Sequence, residues 1–196
     1  MKVEFEATFE NINKDEIREK LKAVGAELVR PEFLQRRKNF NLPKGNDIQG
    51  GWLRVRDEGD KITMSLKVVD GVGIESQKET EIIVNDFDEA SSLLESIGCV
   101  NKSFQESKRE LWKLDNVHIM IDEWPFLEPY IEVEGSNESE VKAVSEKLGF
   151  DYSTALFDAA DAQYAKKYNI STKAINERTP EILFNMQNPF INRTDE

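Results

Sequence analysis

Pairs of charged residues two positions apart, set in apolar runs, constrain this chain more than any other feature. Glu4-Phe-Glu6 lies near the N-terminus and Glu132-Val-Glu134 far downstream. Successive side chains of a β-strand point to opposite faces, so the two carboxylates of each pair share one face. Carboxylates repel one another and resist burial unless a cation or a metal ion partners them. For one such pair alone, a solvent-exposed sheet face is the simpler interpretation.

A third acidic pair, Glu79 and Glu81, and a basic pair, Arg54 and Arg56, have the same spacing. The next strand-like run places Lys67 on its polar face. Arginine pairs suit bidentate binding of phosphate, and a lysine adds a mobile point charge. A ladder of ion pairs with the glutamates explains the two arginines equally well on their own. Charged pairs on so many strands favour a charged cavity inside a barrel.

Turn and cap signals divide most of the chain into about eight strands and several helices. Asn13, Asp86 and Asn137 each precede a helical pattern and fit N-caps. Turn residues at 57–60 and 115–116 fit hairpins. We predict an α+β fold, a closed or nearly closed eight-stranded antiparallel β-barrel with helices packed outside. Closure creates the polar lumen, or tunnel, that the charged pairs require.

The pattern divides the chain into a tunnel domain, residues 1–168, and a C-terminal extension, residues 169–196. Regularly spaced alanines predict a helix over 154–168 at the end of the tunnel domain. The extension is less regular but contains apolar residues, among them Phe184 and Phe190. We expect it to dock on the tunnel domain or on a partner subunit, and a floppy tail is the alternative.

Composition restricts the partners of the chain. Of its 196 residues 39% are hydrophobic, which fits a folded domain, and the formal net charge is −12. Nucleic acid is an unsuitable partner, because binding a phosphate backbone needs a basic surface. Cys99 is the single cysteine, so no intrachain disulfide or cysteine-based zinc site can form.

No apolar stretch approaches the ~20 residues of a membrane span, and we recognise no signal peptide before the first strand. We therefore expect a cytoplasmic protein without a nucleic-acid or membrane partner. A homodimer is compatible with the apolar C-terminal residues.

The order and spacing of the charged motifs resemble the CYTH, or triphosphate tunnel metalloenzyme, superfamily. The similarity covers about residues 1–168, and its specificity lies in the motifs taken together. It implies an eight-stranded antiparallel tunnel, a small-molecule triphosphate as ligand, and Mg²⁺ or Mn²⁺ as cofactor. Members include class IV adenylyl cyclases, thiamine triphosphatases, inorganic triphosphatases and RNA triphosphatases. The motifs are Glu4-x-Glu6, Trp52-Leu-Arg-Val-Arg-Asp-Glu-Gly, Leu66-Lys67, Lys78-Glu79, Lys108-Arg109-Glu110, Ile121-Asp122 and Ile131-Glu-Val-Glu-Gly.

The resemblance implies roles for eleven residues of this sequence. The implied metal ligands are Glu4, Glu6, Glu79, Asp122, Glu132 and Glu134. The implied phosphate ligands are Arg37, Arg54, Arg56, Lys67 and Arg109. The implied catalytic residues are Glu4, Glu6 and Lys67.

One position departs from the family pattern. The first motif of the family ends in a lysine two residues after the second glutamate, and here that residue is Thr8. Its side chain shares the face of Glu4 and Glu6, and a threonine cannot supply the charge of a lysine. Lys38, Lys67 and Lys78 are the nearby candidates to compensate.

The resemblance implies a metal-dependent enzyme that hydrolyses the terminal phosphate of an inorganic, nucleoside or thiamine triphosphate. The first alternative is a class IV adenylyl cyclase, which converts ATP to cyclic AMP and pyrophosphate. A cyclase also needs a nucleoside pocket, for which aromatic residues are stacking candidates. The second alternative is a triphosphate-binding module without catalysis. The aromatic candidates are Phe33, Phe40, Trp52 and Trp124.

Overall fold

The structure, a computed structural model, describes residues 1–191, which form ten strands and five α-helices. The strands are β1 (Lys2–Val3), β2 (Phe5–Phe9), β3 (Glu27–Asn41), β4 (Gly51–Asp57), β5 (Ile62–Val69), β6 (Gln77–Val84), β7 (Val100–Leu114), β8 (Val117–Glu123), β9 (Tyr130–Gly135) and β10 (Glu181–Ile182). The helices are α1 (Lys14–Ala23), α2 (Phe87–Ser96), α3 (Glu138–Lys147), α4 (Ala160–Tyr168) and α5 (Thr172–Arg178).

One sheet contains all ten strands and curls into a nearly closed antiparallel barrel. Its strands follow the order β1-β6-β5-β4-β3-β7-β8-β9-β2. The N-terminal segment closes it, since β1 pairs with β6 and β2 pairs with β9. Only Glu4 separates β1 from β2, and its backbone N–H donates to the carbonyl of Gln77 at 2.9 Å. With β1 and β2 counted as one interrupted strand, the predicted eight-stranded tunnel is confirmed.

The helices begin where short polar side chains satisfy free backbone N–H groups. The Asn13 side chain accepts from the first turn of α1, and Asp86 and Asn137 do the same for α2 and α3. Each cap replaces hydrogen bonds that the first turn of a helix cannot make within itself. The three predicted N-caps are therefore correct.

The apolar core lies between the barrel wall and the helices, not inside the barrel. Along β2 the fully buried Ala7 faces outwards, where Ile17 and Leu21 of α1 and Val141 of α3 pack with it. A separate cluster joins α2 to the outer faces of β3 and β4. Because alternate residues of a strand face opposite sides, packing the apolar faces outwards turns the charged faces into the lumen.

The predicted helix over 154–168 is partly wrong, because α4 begins only at Ala160. The preceding segment is extended, and Leu156 forms a two-way backbone pairing with Thr8 at 2.9 and 3.0 Å. This pairing occupies the edge of β2 that β6 does not reach. Strand-edge hydrogen bonds outweigh the local helix propensity of these residues, since an unpaired buried backbone group is costly.

The segment 164–191 packs on the barrel. In this segment β10 pairs in parallel with β7, and Phe104 donates its backbone N–H to the carbonyl of Pro180 at 2.8 Å. Ile182 and Phe190 are buried against Trp124 of the barrel. The last five residues of the predicted extension lie outside the described residues. None of the helices within residues 1–191 is long and apolar enough to cross a membrane.

Candidate anion-binding tunnel

The barrel encloses a cavity of about 1090 Å³ whose wall is strongly charged. Of the eleven implied site residues only Asp122 does not line this cavity, because it is 1% exposed and lies behind Arg109. The other ten implied site residues line the cavity: Glu4, Glu6, Arg37, Arg54, Arg56, Lys67, Glu79, Arg109, Glu132 and Glu134.

Strand register decides which charges face one another. We call Arg37, Arg54 and Arg56, on the neighbouring strands β3 and β4, the arginine wall. Within it Arg37 lies directly opposite Arg56, whereas Arg54 lies opposite Asn39. Like charges directly opposite on neighbouring strands destabilise a sheet. The arginine wall therefore contains one unfavourable pair that the fold itself creates.

Two members of the arginine wall are neutralised by carboxylates. Arg54 contacts Glu79 at 3.0 Å. Arg56 contacts Glu58 at 2.8 Å and Glu81 at 3.4 Å. Burial, followed by the neighbouring Arg54, lowers the pKa of Arg56 to about 10, which leaves it charged at neutral pH. These pairs satisfy most of the charge that β4 places in the lumen.

Arg37 is the exception, because within residues 1–191 it has no carboxylate at ion-pair distance. It is 6% exposed and donates to the neutral oxygens of Gln35, at 2.9 Å, and Ser107. Its guanidinium lies 4.3 Å from the ring centre of Trp124, and its Nε has no acceptor. Burial first and Arg56 next lower its pKa to about 9, so it too stays charged at neutral pH. A buried cation without a counter-ion is costly.

The opposite side of the lumen, which we call the carboxylate wall, contains Glu6, Glu132 and Glu134 from β2 and β9. Glu6 lies directly opposite Glu134 in register. Burial raises the pKa of Glu6, Lys67 opposes that rise and Glu134 adds to it. The nearby cations pair with other carboxylates, and within residues 1–191 neither Glu6 nor Glu134 has an ion-pair partner. This wall therefore contains a second like-charged pair.

Arg109 of β7 contacts the carboxylate wall through Glu132. Its Nε donates to Asp122 at 2.8 Å, and an Nη group contacts Glu132 at 2.6 Å. Burial acts against its charge, but Asp122 and Glu132 more than offset this and raise the pKa of Arg109. Burial, then Glu6 and Asp122, raise the pKa of Glu132. Arg109 was predicted to bind phosphate, and in the structure it bridges two carboxylates.

Lys67 of β5 pairs with two carboxylates of the lumen that belong to neither wall. Its ammonium lies 2.8 Å from Glu4 and 3.5 Å from Glu79. Burial and a hydrogen bond with Glu79 raise the pKa of Glu4 to about 7. For Glu79 burial acts in the same direction, but the hydrogen bond with Glu4 and the charge of Arg54 outweigh it and lower the pKa.

The structure also shows which of the lysines named as candidates to compensate for Thr8 lines the cavity. Lys38 pairs with Asp88 and Lys78 with Asp70, both outside the lumen. Only Lys67, of the three candidates named from the sequence, lines the cavity. Its charge also acts on Glu6. Lys67 therefore supplies positive charge beside the first acidic motif.

The donor set fits a hard divalent cation. Within residues 1–191, no three Asp, Glu, His or Cys side chains are grouped so that they could hold a metal ion. Mg²⁺, however, is commonly held by one or two carboxylates together with substrate phosphates and water. The facing carboxylates of Glu6 and Glu134 provide such a pair. The residues present are thus compatible with Mg²⁺ or Mn²⁺ bound together with a phosphate ligand.

Sequence reasoning assigned no site role to Glu58, which is 6% exposed and pairs with Arg56. Among the aromatic stacking candidates, Phe40 is buried in the outer core and Trp124 stacks on Arg37. Phe33, Trp52 and Trp124 line the cavity. No pattern within a single strand predicts these side-chain positions, because they depend on how the strands are arranged around the lumen.

The fold and the lumen define a class of protein, the β-tunnel with opposed basic and acidic walls. The CYTH domain model matches residues 3–163, and the chain therefore belongs to the CYTH family.

Solved structures share this fold. A candidate adenylate cyclase from Vibrio parahaemolyticus is 15% identical, with a TM-score of 0.71 over 84% of this chain and 98% of that one. The PH1012 protein from Pyrococcus horikoshii is 23% identical, with a TM-score of 0.66 over 80% and 96%. The Hippeastrum candidate adenylyl cyclase HpAC1, which has a dominant triphosphatase activity, is 14% identical, with a TM-score of 0.55 over 85% and 96%. No curated protein matches the sequence.

Proposed function

We propose that the protein is a divalent-metal-dependent triphosphatase that removes the terminal phosphate of an inorganic, nucleoside or thiamine triphosphate. The observation that carries this proposal is a pair of like charges on neighbouring strands at each of two sides of the lumen. Arg37 faces Arg56 on one side, and Glu6 faces Glu134 on the other. An anion at the first pair and a cation at the second neutralise both.

A triphosphate with its metal ion has this distribution of charge. Arginine guanidinium groups bind phosphate oxygens in pairs, and the unsatisfied Nε of Arg37 is a donor for one of them. Carboxylates such as Glu6 and Glu134 provide the oxygen ligands that Mg²⁺ and Mn²⁺ prefer. Members of the CYTH family bind small-molecule triphosphates, and its triphosphatases use metal ions, which supports the same assignment.

In the proposed mechanism the arginine wall holds the phosphoryl oxygens and stabilises the negative charge that develops during transfer. The ammonium of Lys67 fixes Glu4 and Glu79 beside the phosphates. Asp122 and Glu132, the other implied metal ligands, are hydrogen-bonded to Arg109 in this structure. Glu6 and Glu134 would hold the metal ion, which would offset phosphate charge and make an attacking water more acidic.

Cyclisation of ATP is the second candidate function, and one observation favours it. The cavity of about 1090 Å³ exceeds the space that a triphosphate chain needs and reaches the upper range of pockets for drug-sized ligands. A nucleoside therefore fits in the remaining volume. The Vibrio and Hippeastrum structures, described above as candidate cyclases, are consistent with either chemistry on this fold.

A product assay distinguishes these reactions. Purified protein is incubated with ATP, thiamine triphosphate or tripolyphosphate, each with Mg²⁺ or Mn²⁺, and the products are separated by anion exchange. We expect orthophosphate, and we expect loss of at least about 100-fold of the rate in an Arg54→Gln variant. Cyclic AMP with pyrophosphate would instead establish the cyclase.

Arg36→Gln is the matched control, because Arg36 is a β3 arginine that pairs with Glu106 and has a 55% exposed side chain. It should retain the wild-type rate. Tight binding of triphosphates without any product would identify a binding module. If no triphosphate binds with either metal, the proposed function is wrong.

A further inference from the structure

One end of the cavity is built in part by residues outside the region that the CYTH domain model matches. Lys102 of β7, Asp161 of α4 and Asn176 of α5 all line it. We call these three residues the end-wall cluster. The family match ends at residue 163, so Asn176 belongs to a part of this chain that the family model does not describe.

Hydrogen bonds fix the orientation of the end-wall cluster. The amide nitrogen of Asn176 donates to one carboxylate oxygen of Asp161 at 2.5 Å. The other oxygen accepts the backbone N–H of Ala162 at 3.0 Å. Asp161 uses one of the two N–H donors of the Asn176 amide, whose carbonyl oxygen is a separate acceptor. Asp161 and Asn176 thus present oxygen acceptors at this end of the cavity.

Lys102 provides the one cation of the end-wall cluster. Within residues 1–191 it has no carboxylate at ion-pair distance, and its ammonium lies 5.8 Å from the ring centre of Trp52. Burial lowers the pKa of Lys102, and the charge of Asp161 partly opposes this effect. Trp52 also lines the cavity, which places an aromatic face beside the hydrogen-bonding groups.

The chemistry of the end-wall cluster differs from that of the arginine wall. The charge of Asp161 offsets that of Lys102, and the oxygens of Asp161 and Asn176 can accept hydrogen bonds from amino and hydroxyl groups. An aromatic face next to them suits a flat ring. A site with buried hydrogen-bonding groups discriminates strongly against a ligand that lacks the matching groups. The cluster is therefore suited to an uncharged group with N–H or O–H donors.

The segment that carries Asn176 is firmly attached. The neighbouring Ile175 and the β10 residue Ile182 are each 1% exposed, and both line the same end of the cavity. Tyr164 donates to the carbonyl of Pro125 at 2.6 Å and packs against Phe190. A cluster held by such packing loses little conformational entropy when a ligand binds.

We propose that the end-wall cluster is a subsite for the non-phosphate group of an organic triphosphate, with Asn176 and Asp161 accepting its N–H or O–H groups and Trp52 contacting its ring. This proposal rests on the proposed function for the phosphate half of the ligand. It makes the C-terminal segment a determinant of specificity, and it selects organic triphosphates over tripolyphosphate.

The test measures binding by calorimetry with Mg²⁺ for ATP, GTP, CTP, thiamine triphosphate and tripolyphosphate. We expect at least one organic triphosphate to bind more tightly than tripolyphosphate. For that ligand, Asn176→Ala should weaken binding by about tenfold, as expected for a lost hydrogen bond together with an unpaired partner. Tripolyphosphate binding should stay unchanged. Lys173→Ala is the control, because its exposed side chain lies on the same helix.

An Asp161→Asn variant, which changes the other acceptor of the subsite, provides a second measurement if Asn176→Ala does not fold, as judged by its melting temperature. It should also weaken the organic ligand more than tripolyphosphate. Equal weakening of all ligands by either folded variant, or no weakening by both, overturns the subsite. Tripolyphosphate binding at least as tight as every organic ligand also overturns it but leaves the proposed function intact. Failure of every ligand to bind overturns both.

Discussion

The arginine wall and the carboxylate wall differ in how their buried charges are paired. In the arginine wall, carboxylates neutralise Arg54 and Arg56 and leave one buried cation, Arg37, among neutral partners. In the carboxylate wall, Arg109 pairs with other carboxylates. Within residues 1–191 the facing pair of Glu6 and Glu134 has no cation at ion-pair distance. The comparison shows that the unsatisfied charge is local and of opposite sign on the two sides of one lumen.

This separation of charge is informative because the lumen could have been neutral. Ion pairs between facing walls would satisfy both sets of charges, and buried ions are strongly stabilised by such pairing. Here each wall instead keeps a like-charged pair at directly opposed strand positions. A ligand that combines a polyanion with a divalent cation complements both walls, whereas either ion alone complements only one.

The largest expected effect comes from removing the unpartnered cation of the arginine wall. We predict that Arg37→Met weakens triphosphate binding by at least about 100-fold, since a buried charge-assisted contact is lost. The same change should not lower the free energy of unfolding of the ligand-free protein, because it removes a buried charge that lacks a counter-ion. Binding titration and denaturant unfolding measure the two quantities.

Arg36→Met is the control for Arg37→Met, because its side chain is on the outer face of the same strand. It should leave triphosphate binding unchanged. Marked destabilisation of the ligand-free protein by Arg37→Met would show that Gln35, Ser107 and Trp124 satisfy this guanidinium by themselves. The difference in unpaired charge between the two walls would then not depend on Arg37.

A smaller effect is expected from the carboxylate wall. We predict that Glu6→Gln raises the Mg²⁺ or Mn²⁺ concentration needed for half-maximal triphosphate binding by about tenfold, or about 1.4 kcal/mol. Glutamine keeps the shape but loses the charge that a divalent ion requires. The exposed Glu75 provides the matched control, Glu75→Gln. An unchanged metal requirement would exclude Glu6 as a ligand.

The sequence revealed the parts of the site that depend on alternation within a strand. The pairs Glu4/Glu6 and Arg54/Arg56 share a face because of the two-residue period alone, and the structure places all four in the cavity. Alternation alone does not place Arg37 in the lumen, because β3 contains several basic residues and pairs irregularly with β7. Its position opposite Arg56 depends on the register of β3 with β4.

Features that depend on long-range contacts were beyond the reach of sequence patterns. The segment before α4 looks helical, but pairing of Leu156 with Thr8 makes it extended. The end-wall cluster joins Lys102 to residues of α4 and α5, and its assembly depends on the parallel pairing of β10 with β7. Two residues of β10 carry too little local signal to predict such a partner.

The smallest expected effect tests whether the carboxylate pair is costly without a metal ion. We predict that Glu134→Gln raises the free energy of unfolding of the metal-free protein by about 1 kcal/mol, because like charges no longer face each other across β2 and β9. For a chain of this size, the melting temperature should rise by roughly 2–4 °C. Addition of Mg²⁺ with a triphosphate should then stabilise the variant less than the wild type. Glu75→Gln should change neither quantity. If Glu134→Gln destabilises the metal-free protein, the facing carboxylates already stabilise one another by sharing a proton, and the walls are more alike than their charges imply.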